Sequence, residues 1–264
     1  MRPYPLIPEA GTYGVAILII LSLSAFSLAS HIHFRLQQPG IPFLAVYCPV
    51  LSLIAFWGAV VLDPALWFDG GIRGWLFAVS TGPLLGVTAA WADRRIIRPI
   101  ERKRALSWRA RFKPVPSDVW NSFGSVRIYG DSKRRRVPLR KMQHPGAGSG
   151  IGAHNLSLTV VILAGALEEI LYRGVLVQLC FLLPSTILIA AALCASVIMF
   201  GLSHIEFGWA QVCSKLPLGV LALLGTLATG NIFCAMITHS FFNLCIVLKQ
   251  REDRIIHDDR RTLA

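Results

Sequence analysis

Three short stretches in the second half of the chain hold residue types that could do chemistry. Ala166-Leu167-Glu168-Glu169-Ile170-Leu171-Tyr172-Arg173-Gly174 brings two carboxylates and a guanidinium together, Phe200-Gly201-Leu202-Ser203-His204 ends on an imidazole, and His239-Ser240-Phe241-Phe242-Asn243 pairs an imidazole with a carboxamide. A carboxylate and a histidine can hold a water and remove its proton. A second histidine and an asparagine can donate hydrogen bonds to the oxyanion that forms when the water attacks a carbonyl. The set suits peptide-bond hydrolysis.

Helical spacing sorts these residues into roles. Glu169 and Arg173 stand at i, i+4 with the acid N-terminal, the favoured orientation for an ion pair, so Arg173 is expected to neutralise and fix Glu169. Glu168 is rotated by about 100° from Glu169 on a helix and is less well placed for that pair, which leaves it the freer carboxylate. His239 and Asn243, also at i, i+4, share a face and can present two donors to a common point. Phe200 is expected to pack rather than react.

All of these groups lie in or at the ends of apolar runs, and the runs define the elements that must position them. The 264 residues are 54% hydrophobic and only 15% charged, with a mean hydropathy of +0.58. A soluble domain carries about a quarter charged residues, so a water-soluble globule is excluded. The runs are 11–30, 41–62, 74–92, 155–183, 185–203, 210–229 and 232–248, most of them long enough to cross a hydrocarbon core roughly 30 Å thick. The expectation is an all-α, polytopic membrane helical bundle of about seven transmembrane helices. Pro49 and Pro83 fall inside runs and should kink them. Pro184 and Gly230-Asn231 supply tight turns. The first run lacks a short apolar region with a small-residue cleavage site and reads as a retained span.

A net charge of +12 raises nucleic acid as a partner, but sixteen of the 26 Lys and Arg lie between Arg94 and Lys141, in one polar segment without a recognised binding motif. That placement suits a cytoplasmic loop facing anionic lipid, and no nucleic-acid role is expected. The opening of this loop, through Arg111, reads either as a basic amphipathic helix, with Ile96, Ile97, Ile100, Leu106 and Trp108 entering the interface, or as a solvated loop. With the loop in the cytoplasm, the C-terminal tail carrying Lys249, Arg251, Arg254, Arg260 and Arg261 falls there too, and the acidic turn with Asp63 and Asp69 falls outside. The domain expectation is a three-helix membrane region at 1–92, a basic cytoplasmic loop at 93–154, a membrane core at 155–248 and a cytoplasmic tail at 249–264. The six cysteines are scattered without a C-x-x-C pair, so neither a zinc ribbon nor a disulfide framework is indicated.

Glu-Glu-x-x-x-Arg, Phe-x-x-x-His and His-x-x-x-Asn, in this order on successive membrane helices, resemble the CPBP family of intramembrane proteases, which includes type II CAAX prenyl endopeptidases and bacteriocin-processing or immunity proteins. The resemblance covers about residues 155–248. It implies a glutamate-dependent endopeptidase in which Glu168 and His204 activate water, His239 and Asn243 form the oxyanion hole, and Glu169 and Arg173 support the site. Residues 1–150 are not covered.

Other readings of the same residues remain in view. A proton-coupled carrier could use them as a relay, and a catalytically silent scaffold or immunity protein could keep them as helix contacts. No cofactor is expected. Zn²⁺ on the histidines and glutamates is the minority alternative, weakened because no His-Glu-x-x-His helix is present. His31-x-His33 sits at a span end beside Arg35, and His204-x-Glu206 is not followed by Pro-Cys-x-x-Cys, so neither is read as a metal motif.

Overall fold

The computed structural model describes residues 11–36, 43–111 and 158–262. The Pro-rich start at Pro3, Pro5 and Pro8, the loop residues 112–157 and the expected beginning of the fourth span at Asn155 lie outside the described residues. Among the described residues there are helices and no strands. They are α1 (Gly11–Leu36), α2 (Phe43–Val61), α3 (Gly71–Arg111) and α4 (Leu158–Glu169), which runs through a π-helical turn (Ile170–Val175) into α5 (Leu176–Phe181). Then follow α6 (Thr186–Leu202), α7 (Trp209–Thr229) and α8 (Phe233–Thr262). Helix therefore falls on each of the seven apolar runs.

Gly14–Leu36, Phe43–Val61, Gly71–Ile100 and Trp209–Thr229 are long and apolar enough to cross a membrane, and Thr186–Leu202 and Phe233–Lys249 are shorter apolar helices. The fold is a helical membrane bundle. Its outer surface agrees: Leu53, Phe56 and Val60 of α2, Ile72, Leu76 and Leu84 of α3, and Ile187 of α6 are exposed. Apolar rows of that extent are a liability in water and a natural fit to hydrocarbon. Inside, Leu18, Leu51, Leu171, Phe200, Leu218 and Phe242 are fully or almost fully buried. α1 packs on α2, α2 on α4 and the π turn, α4 on α8, and α7 on both α6 and α8.

The local signals act where the sequence places them. Ser185 caps α6, its hydroxyl accepting from the Leu188 N–H at 3.3 Å. Gly230 ends α7 in the left-handed region at φ 64°, a conformation that favours glycine. The Asn231 carboxamide oxygen then accepts from the Phe233 N–H at 2.8 Å and starts α8. Pro49 and Pro83 lie within α2 and α3 without ending them.

Two helices outlast their apolar runs. α3 continues to Arg111, so the opening of the basic loop is helical. α8 continues to Thr262, with Lys249 Nζ 2.9 Å from Glu252 Oε2 on its surface. The chain divides into two compact units, Met1–Ile97 with His154–Ala264, and Arg98–Ala153. Of the second, the described part is the last stretch of α3.

Candidate active site

Everything described in this subsection belongs to the first unit. The approach of α4 to α8 fixes the centre, and Gly165 permits it: a Cβ there would stand 2.9 Å from Asn243 Nδ2 and 3.2 Å from His239 Cδ2. One turn later α4 ends at Glu168 and Glu169 and enters the π turn that carries Arg173. A π turn inserts a residue into the helical ladder and re-aims the side chains around it.

His239 stands between the two glutamates. Its Nδ1 lies 2.7 Å from Glu169 Oε1, and its Nε2 lies 3.8 Å from Glu168 Oε2. The expected i, i+4 ion pair forms, with Arg173 Nε 3.2 Å from Glu169 Oε2. Arg173 also donates through Nη2 to the Gly219 carbonyl at 2.7 Å and lies over the Phe200 ring, Cζ 4.6 Å from its centroid. Glu169 is fully buried, whereas Glu168 is 8% exposed and has the Tyr47 hydroxyl within hydrogen-bonding reach. Of the two carboxylates Glu168 is thus the more accessible, and Glu169 is consumed by its two partners.

His204 sits just past the end of α6, where the chain turns toward α7 through Gly208 at φ 94°. Its Nδ1 is 3.2 Å from the Phe200 carbonyl and 3.1 Å from Ser203 Oγ. With the proton on Nδ1 donated to that carbonyl, Nε2 is left as an acceptor. Phe200 bridges the two histidines: its ring centroid is 5.5 Å from that of His204 and 5.8 Å from that of His239, edge-on to both. The expected packing role of Phe200 is what the structure contains, between three functional candidates. Asn243 lies one turn beyond His239, its Nδ2 donating to the Val161 carbonyl at 3.2 Å.

Glu168, Glu169, Arg173 and His239 therefore form one connected cluster. His204 joins it through Phe200, and Asn243 borders it beside Gly165. Among the described residues no group of three or more His, Cys, Asp or Glu is arranged to hold a metal ion.

Two features escape the sequence reading. Tyr47 of α2 reaches Glu168 from a run with no polar signal of its own. Lys215 of α7 is a different case: its Nζ is 3.1 Å from Asp93 Oδ1 of α3 and 4.3 Å from the centroid of the Phe242 ring. A lysine inside an apolar run is itself a functional signal. The rule that selects Glu168 selects Lys215 as well.

Residues 152–245 match the family model described as type II CAAX prenyl endopeptidase Rce1-like. The match lies on the stretch that carries the three motifs and names the kind of protease they resemble; it covers about a third of the chain. No curated protein and no solved structure matches.

Proposed function

We propose that the protein is an intramembrane endopeptidase that hydrolyses a peptide bond in a membrane-associated or lipidated peptide or protein, using water activated by glutamate and histidine. The observation that carries this reading is the convergence of Glu168, Glu169, Arg173 and His239 at one buried point, within a stretch that matches an endopeptidase family.

In this reading Glu168 takes a proton from a water held between its carboxylate and His204 Nε2. The water oxygen attacks the carbonyl carbon, the carbonyl oxygen becomes the oxyanion, and the C–N bond breaks as the proton passes from Glu168 to the leaving nitrogen. Asn243 and His239 donate to the oxyanion. With His239 Nδ1 turned to Glu169, its donation to the oxyanion runs through Nε2. Arg173 holds Glu169 in place and touches no reacting atom.

The basic loop and the C-terminal tail are assigned to the cytoplasm by their charge, with anionic lipid as the loop's partner and the substrate met near that interface. The chemistry needs no cofactor in this scheme. Activity should then persist after prolonged treatment with a strong chelator; stoichiometric zinc whose removal and return switch activity off and on would replace the water-activation scheme while leaving a protease. The deciding experiment is mass spectrometry of candidate membrane peptides after incubation with the wild type and with Glu168→Gln. New peptide termini that appear with the wild type alone support the reading, and identical peptide sets favour a silent scaffold.

A further inference from the structure

The end of α6 hands one backbone carbonyl over to side chains. In an unbroken helix the Phe200 carbonyl would accept from the His204 N–H, four residues on. Here the last turn tightens, and the His204 N–H bonds the Gly201 carbonyl at 3.0 Å instead. Two side chains converge on the Phe200 carbonyl: Ser203 Oγ donates to it at 2.7 Å, and His204 Nδ1 lies 3.2 Å from it. Ser203 Oγ and His204 Nδ1 are themselves 3.1 Å apart. The three groups close a triangle whose serine corner is buried. Ser203 stands inside the Phe200-Gly201-Leu202-Ser203-His204 stretch, and the catalytic scheme gives it no role.

The triangle admits one arrangement of protons. A carbonyl offers only lone pairs, and the serine has a single proton, which the shortest of the three contacts commits to that carbonyl. Its oxygen therefore meets Nδ1 as an acceptor. A bare Nδ1 would either face the lone pairs of both oxygens or take the serine proton and strip the carbonyl of its 2.7 Å partner. A protonated Nδ1 meets two acceptors and leaves no bond unmade. In a neutral imidazole the proton on one nitrogen leaves the lone pair on the other, so Nε2 is the acceptor. The Tyr172 hydroxyl of the π turn also lies within hydrogen-bonding reach of Ser203, which places the serine between His204 and the turn that carries Arg173.

We propose that Ser203 is a positioning residue for hydrolysis: with the Phe200 carbonyl it fixes the His204 ring and its tautomer, so that Nε2 stays bare to accept a hydrogen of the attacking water. Ser203 touches no reacting atom and acts through His204. The proposal rests on the reading of His204 as the histidine that holds the water, whereas the tautomer itself can be observed without any turnover.

The test is a proton–nitrogen correlation spectrum of the full chain in detergent, with its histidine rings labelled with ¹⁵N and His204 assigned by its loss in His204→Gln. The wild type should show His204 protonated on Nδ1 alone. Ser203→Ala removes one of the two acceptors, so it should bring in an Nε2-protonated population and lower kcat by roughly fivefold, the contribution of one hydrogen bond, with KM nearly unchanged. Ser203→Thr keeps the hydroxyl and should restore both readouts. A purely structural serine would change the melting temperature and leave the tautomer where it was. A wild-type ring protonated on Nε2 or on both nitrogens overturns the proposal. So does a folded Ser203→Ala protein whose tautomer or kcat matches the wild type. If that variant does not fold, the wild-type spectrum decides alone. Should the wild type cut no peptide, the hydrolytic reading fails by that result, and the spectra still report separately whether Ser203 sets the tautomer.

Discussion

Among the described residues, two buried pairs join a carboxylate to an arginine or a lysine, and they are built differently. Glu169 and Arg173 lie within one continuous helical rod, and the pair is embedded among His239, the Gly219 carbonyl and the Phe200 ring. Asp93 and Lys215 come from helices far apart in the chain, and the ammonium lies 4.3 Å from the centroid of the Phe242 ring and within electrostatic reach of Glu168 and His204. Both are nearly excluded from solvent. The first pair is flanked by an imidazole that faces a further carboxylate, the arrangement on which the proposed proton transfer rests. The second ties the third helix, outside the stretch matched by the protease family, to the seventh, inside it. A buried charge in a span is thus a prompt to ask what else stands beside it, and the company decides between chemistry and attachment.

The sharpest way to separate the two is to remove function without touching either pair. Glu168→Gln deletes the proposed base and leaves Glu169, Arg173, Asp93 and Lys215 in place. Turnover should fall by at least about 10³, within the range of general-base loss, with an unchanged melting temperature in detergent. Near-normal turnover would end the assignment of Glu168. Next comes the first pair itself: Arg173→Ala strands the fully buried Glu169, and losing one partner of such a pair costs about 3 to 5 kcal/mol. The expected readout is a lower yield and melting temperature together with lost activity. A variant as stable as the wild type would mean that His239 alone suffices to hold Glu169. Smaller again is Asn243→Ala, which should slow hydrolysis by roughly 10² to 10³ with little change in substrate binding if its amide serves the oxyanion. A rise in KM at constant turnover would instead assign Asn243 to substrate binding or to the contact with Val161.

How much of this was legible in the sequence differs between fold and site. Helix on each of the seven apolar runs was, because bilayer thickness imposes a minimum apolar length and Ser185, Pro184 and Gly230 punctuate it. Their ends were not: hydropathy marks where a chain leaves hydrocarbon, whereas α3 and α8 keep their backbone hydrogen bonds well into charged sequence, to Arg111 and Thr262. At the site, the Glu169–Arg173 pair followed from i, i+4 spacing within one chain segment. The π turn did not, having no residue period of its own, and it is the π turn that lies where both glutamates meet His239. The same spacing put His239 and Asn243 on one face but could not say that His239 Nδ1 is bound by Glu169. Tyr47 carried no signal at all. Lys215 did, since a charge inside the 210–229 run breaks the pattern, yet its partner Asp93 sits at a span end where charge is ordinary.

The smallest effect should come from erasing the second pair whole. If Asp93–Lys215 is an attachment, its contribution is the attraction of two charges less the cost of burying them, a balance that is often near zero or unfavourable beside well-packed apolar groups. Asp93→Leu alone leaves the Lys215 ammonium buried 4.3 Å from the Phe242 ring centroid without its counter-ion, and should lower the melting temperature clearly. Lys215→Met alone strands the Asp93 carboxylate and should do the same. The double variant strands nothing, keeps similar volume on both sides, and should recover most of the lost stability, so that the two single losses do not add. Activity carries the discrimination. Arg173→Ala has no such rescue, because its partner Glu169 also holds His239, and replacing that pair by apolar residues would still release the imidazole. Asp93→Leu with Lys215→Met should keep turnover within about threefold of the wild type if the pair only joins α3 to α7. A double variant that is stable and yet inactive would erase the distinction between the two pairs and place Lys215 in the working site.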